Sequence, residues 1–190
     1  MKTLAIFTSG ILLVSSVAGA IAHGGATGIV KERMVAMGAM GKVMKSLSGM
    51  MRGDSDYDAE AVRKGAAVLQ SHAGESLISL FPEGSINGPS EATPEIWSNW
   101  QEFERLSMDL ELYAAALGRA ASKGLAHSAS GSGMMGQMTM GNSGMMGQSM
   151  MGGNAMTNDP ETLAQMPVEG LFKMTAQTCS SCHTKFRVEK

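Results

Sequence analysis

QTCSSCHTKFR, residues 177–187, lies close to the C-terminus and constrains the whole chain. Cys179-Ser180-Ser181-Cys182-His183 within it is C-x-x-C-H, the attachment signature of a c-type haem. Two thiols bond the macrocycle and the adjacent imidazole binds its iron. On a helix, positions i, i+3 and i+4 share one face, so Cys179, Cys182 and His183 can address one flat group together. The chain has only 2 cysteines, so no other pairing competes. Two rival readings are weaker. A redox C-x-x-C pair opens a helix after a strand, and no βαβ pattern is present. A structural zinc site needs four ligands, and the remaining histidines, His23, His72 and His127, are scattered.

The N-terminus suits export. Met1-Lys2 is a short positive start, and Leu4 to Ala22 is largely apolar with small residues interspersed. Cleavage after Ala20 or Ala22 matches the small-x-small pattern of a secretory signal. The alternative is an uncleaved anchor, because the apolar run approaches spanning length. A signal over 1–22 leaves 23–190 as one domain in a periplasm, with no stable membrane insertion afterwards. The formal charge of −2 gives no reason to expect nucleic-acid binding. Aromatics make up only 5% of the chain, and a haem would supply the flat apolar surface they otherwise provide.

Four segments read as helix and none as a convincing strand. From Thr27 to Met50, Val30, Met34, Met37, Met40, Gly41 and Met44 recur at three- and four-residue steps. Gly53 to Asp56 reads as a turn. The second helix spans Asp58 to Leu80, with Val62, Gly65, Leu69 and Leu77 on its stripe, and Pro82 follows its end. The third starts at Thr93 as N-cap with Pro94 next, and carries Ile96 to Leu117 on one face to about Ser122. The fourth runs from Asp159 to Arg187, with Pro167 delaying its regular start. The expected fold is all-α, an antiparallel four-helix bundle with a covalent haem.

The third connection, 124–158, is long and rich in Met and Gly. Its segments 132–142 and 143–154 are a tandem duplication, and it holds nine of the chain's 19 methionines. Such a composition denies it a core. Clustered thioethers suit monovalent copper, reversible methionine oxidation suits oxidant scavenging, and a tolerated surface expansion needs neither.

Taken together, these segments resemble the cytochrome c′ family, the class II c-type cytochromes. The resemblance is carried by Thr178 to Arg187, Val30-Lys-Glu-Arg-Met-Val-Ala-Met-Gly-Ala-Met40, Tyr57-Asp58-Ala59, Phe81-Pro-Glu-Gly-Ser85 and Pro94-Glu-Ile-Trp97. It covers nearly all of the chain after residue 22 except the insert. It implies one covalent haem c per chain at Cys179 and Cys182, with His183 as axial iron ligand. Family members are either five-coordinate or use a first-helix methionine as sixth ligand. The position four residues after Arg33 decides, and here it is Met37, so the resemblance is to the low-spin members. Periodicity alone leaves Met34 and Met40 open, because methionine stripes also serve as core filler. The resemblance further implies that Arg33 approaches a haem propionate, that Met34 lines the pocket, and that Ser85 and Ile86 sit where a loop touches haem. Arg187, one turn after His183, can tune the imidazole. His72 and Trp97 read as packing residues.

The function implied is a periplasmic one-electron carrier, with periplasmic redox proteins as partners. Relatives are often dimers through the first two helices, so a homodimer is possible. No catalytic triad, paired-carboxylate site or nucleotide loop appears, and the chain is not expected to be an enzyme. The alternatives are a five-coordinate cytochrome that binds nitric oxide or carbon monoxide, and copper handling through the insert.

Overall fold

The computed structural model describes residues 25–126 and 159–188. The segment 1–22 and nearly all of the 124–158 insert lie outside the described residues, together with the leader and copper expectations attached to them. The bundle is built from α1 (Gly28–Arg52), α2 (Ala59–Ser71), α3 (Glu75–Ile78), α4 (Glu95–Ser98), α5 (Trp100–Ala120), α6 (Pro160–Leu163) and α7 (Val168–Phe186). The long members α1, α2, α5 and α7 form an antiparallel four-helix bundle, in which α5 packs against both α2 and α7. No strand forms among the described residues. Ala92 and Arg187 make one isolated antiparallel bridge.

Local chemistry sets the ends. Gly53 at φ 76° closes α1, and its N–H reaches back to the carbonyls of Gly49 and Met50. Asp58 caps α2 by accepting from the N–H groups of Glu60 and Ala61. Asp159 does the same for α6. Pro167 separates α6 from α7, the delayed start expected from the sequence.

Two expected helices are broken. The segment from Asp58 to Leu80 divides at Gly74, which takes φ 58° and ψ −138°. Few residues other than glycine adopt that backbone. A Cβ there would collide with the Glu111 carboxylate. Two bonds to α5 hold the break: Gly74 N–H donates to the Ser107 carbonyl at 3.0 Å, and Ser107 Oγ–H donates to the Gly74 carbonyl at 2.9 Å. The segment from Thr93 to Ser122 divides at Asn99, at φ −128° and ψ 43°. Pro94 rather than Thr93 occupies the cap of α4, and no side chain caps it.

The core has two characters. Toward one end Leu47, Val62, Leu117, Val168 and Leu171 are at most 1% exposed. Each buried aliphatic of this kind contributes ~1.5–3 kcal/mol. Toward the other end Phe103 is the hub, with the Phe81, Phe186 and Trp100 rings at 4.9, 5.7 and 5.6 Å. Trp97 packs beside this cluster and donates its indole N–H to the Phe81 carbonyl at 3.0 Å. His72 ends α2, half-buried.

Candidate functional site

A cleft of about 400 Å3 runs between α1, α7 and the segment leading into α4. Its α1 wall is the helical stripe Val30, Arg33, Met34, Met37, Gly38 and Gly41. Its α7 wall carries Cys182, His183 and Phe186. Ile96 and Phe103 line it from the aromatic cluster. The cleft thus holds the second thiol and the adjacent imidazole together with two methionines, whereas Cys179, the first residue of the expected i, i+3, i+4 set, is not in its lining.

The sequence-level candidates do not all land there. Met37 and Met34 line the cleft, whereas Met40 is 6% exposed and belongs to the core with Leu69 and Leu110. Cys179 is half-buried against that same cluster, just off the cleft's lining. Ser85 reaches the cleft through Arg33: Arg33 Nη2 donates to both the Ser85 carbonyl and its hydroxyl, the latter at 3.2 Å. Ile86 is half-buried in the loop and outside the cleft's lining.

Arg33 is the most informative polar residue. It is 4% exposed and its guanidinium lies 4.5 Å above the Phe81 ring. Burial lowers its pKa, but arginine stays charged in proteins. Nε and Nη1 are buried without a hydrogen-bond partner. An unpaired buried cation is costly, so this arrangement fits a site that receives an anion. The α1 glycines point the same way. A helix-interior glycine costs about 1 kcal/mol relative to alanine. A Cβ at Gly38 or Gly41 would meet nothing within 4 Å, so the chain's own packing does not require either. What they leave open is the cleft wall beside Met37.

Burial raises the thiol pKa values of Cys179 and Cys182, the latter to about 11 with help from the neighbouring Cys179 sulfur. A redox-reactive dithiol shows the opposite shift, a stabilised thiolate. Nor does any group of three His, Cys, Asp or Glu side chains among the described residues form a metal cluster. Among the described residues, the two rival readings of the motif thus lack the surroundings they need. His183 is exposed within the cleft. Burial and then Arg187 lower its pKa, and Glu91 opposes them. The residues present fit a haem: thiols and imidazole on α7, thioethers and a glycine cradle on α1, and an anion-seeking arginine at one edge.

Residues 28–139 match the family model described as Cytochrome C′. The chain belongs to the cytochrome c′ family. The match ends before Cys179, so the haem motif is evidence additional to it. Cytochrome c-556 of Agrobacterium tumefaciens (strain II Chrys) is 35% identical over 94 residues, which cover 47% of this chain and 75% of that one. The solved cytochrome c′ from Rhodopseudomonas palustris shares the fold, with a TM-score of 0.58 at 21% identity over 87% of this chain and 99% of that one. A ferrous variant of cytochrome c′ from Alcaligenes xylosoxidans with bound NO shares it too, with a TM-score of 0.55 at 19% identity, covering 85% and 94%. Membership implies a covalently bound haem c. No helix among the described residues is long and apolar enough to cross a membrane.

Sequence reasoning passed over three features of this cytochrome c′ cleft. Gly38 and Gly41 carried a signal, since glycine inside an amphipathic helix needs a reason. Phe81 stood in a segment that carries the resemblance, but nothing local placed it under Arg33 or marked Glu91 on the rim, because both act through partners distant in sequence.

Proposed function

We propose that the chain is an exported one-electron carrier, its haem c bonded to Cys179 and Cys182 and its iron held by His183 and Met37. Bound there, the haem supplies reversible ferric–ferrous exchange. The protein's part is to hold and to shield. His183 and Met37 present an imidazole and a thioether from opposite walls. A thioether favours ferrous iron and raises the potential relative to harder ligands. Arg33 offers Nε and Nη1 to a propionate, a charge-assisted bond. Ile96, Phe103 and Phe186 keep water from the buried edge. The observation that carries this reading is that Met37, Cys182 and His183 line one cleft. Residues 1–22 are proposed as the export signal, the periplasm as the compartment, and periplasmic redox proteins as partners.

The second reading is a binder of nitric oxide or carbon monoxide. What favours it is the open space beside Met37 at Gly38 and Gly41, together with the NO-bound relative. Mass spectrometry and spectroscopy of protein from cells with intact cytochrome maturation test both readings. The carrier reading expects the mass of one added haem, lost in Cys179→Ala/Cys182→Ala, a low-spin ferric form, and a ferrous form indifferent to carbon monoxide. A high-spin form that shifts on adding nitric oxide would favour the binder. Protein without any added mass would end both.

A further inference from the structure

The C-terminal end of α7 is tied to the loop before α4. Val188 N–H donates to the Glu91 carbonyl at 2.9 Å, and Thr93 N–H donates to the Phe186 carbonyl at 3.0 Å. These bonds flank the Ala92–Arg187 bridge. The side chains follow: Arg187 Nε and Nη2 donate to Glu91 Oε2 at 2.8 and 2.7 Å. The Arg187 backbone N–H also donates to the His183 carbonyl at 3.2 Å. Arg187, Glu91 and His183 line the same cleft. The guanidinium is thus anchored to the helix turn that carries the axial imidazole, and its charge is matched by a residue 96 positions away.

We propose that Glu91 is a positioning residue for the haem's reduction potential: its carboxylate holds and neutralises the Arg187 guanidinium on the His183 side of the cleft. This rests on the carrier reading. A cation beside the iron favours the ferrous form and an anion the ferric form. Paired, the two nearly cancel, so the loop sets how much of the Arg187 charge the iron feels. Both side chains are about 40% exposed, 43% for Arg187 and 37% for Glu91. Such a pair adds little to stability, and its loss leaves the bundle folded.

The test is the midpoint potential of the holoprotein at low ionic strength, with haem content and low-spin spectrum checked for each variant. Glu91→Gln leaves the guanidinium unmatched and raises the potential. Arg187→Gln removes the cation and lowers the potential. Each change is expected to be about threefold in the reduction equilibrium, or ~28 mV at ~59 mV per tenfold. The double variant returns close to the parent value, and added salt shrinks both single shifts. Breaking the clasp is common to both single variants, so a merely structural role would move them the same way. Equal-signed shifts, or none, with haem intact would overturn the proposal and leave the carrier reading standing. Absence of haem in the parent protein would overturn both, and the spectrum reveals it.

Discussion

The closed end of the bundle and its cleft end are made of opposite materials. At the closed end Leu47, Val62, Leu117 and Leu171 interlock with almost no exposure, and every side chain there has a packing partner. At the cleft end a buried arginine keeps two nitrogens unpaired, two helix glycines face open space, and an imidazole is exposed. The first region is finished by the chain alone. The second contains choices that lower the stability of the chain by itself and that fit the haem proposed between α1 and α7. Stability and function have been assigned to separate ends of the same helices.

That contrast can be broken by substitution. Leu171→Ala at the closed end carries the largest expected effect, a loss of ~2–5 kcal/mol from the cavity left behind. Chemical denaturation should find the same loss in haem-free and haem-loaded protein, with the ferric spectrum unchanged. At the cleft end the sign depends on the cofactor. Arg33→Met should leave the haem-free chain as stable as the parent or more so, because a buried unpaired charge is removed. The loaded protein should lose ~1.5–3 kcal/mol, the worth of a hydrogen bond to a charged group. Equal losses in both forms would mean that Arg33 serves only to pin the Ser85 loop. Gly38→Ala is smaller: the haem-free chain gains about 0.5–1 kcal/mol from helix propensity, and the loaded protein gains none of it.

The smallest effect expected is at Asp159, the exposed cap of α6. The Thr162 hydroxyl, then the backbone N–H groups of Thr162 and Glu161, hold its carboxyl below the usual carboxylate range. A folded pKa depressed in this way gives stability that is complete above the unfolded value and lost as pH falls through the folded one. Asp159→Ala should therefore lower the thermal midpoint at neutral pH and leave it unchanged in strong acid.

The same division explains what could be read from the chain. The stripes of α1, α2, α5 and α7, the stop at Gly53 and the gap at Pro167 are local chemistry, and they were legible. So was the thiol–imidazole triplet, whose spacing is itself helical. The break at Gly74 was not, because the bonds that stabilise it come from Ser107, 33 residues away. Periodicity did not choose among the methionines: Met34, Met37 and Met40 look alike on a wheel, the resemblance alone pointed to Met37, and packing separates Met40, in the core, from the two that face the cleft. Glu91 looked like any loop acid until the tail of α7 was laid beside it. Features that depend on a second, distant segment were hidden from the sequence, and the cleft rim is made of them.

The central claim is that α1 and α7 grip one haem from opposite sides through Met37 and His183. The absorption spectrum of the ferric protein tests it most directly. The account predicts a low-spin spectrum with a methionine–iron charge-transfer band that disappears in Met37→Ala and survives in Met34→Ala. A high-spin spectrum in the parent protein, or a band untouched by Met37→Ala, would contradict it.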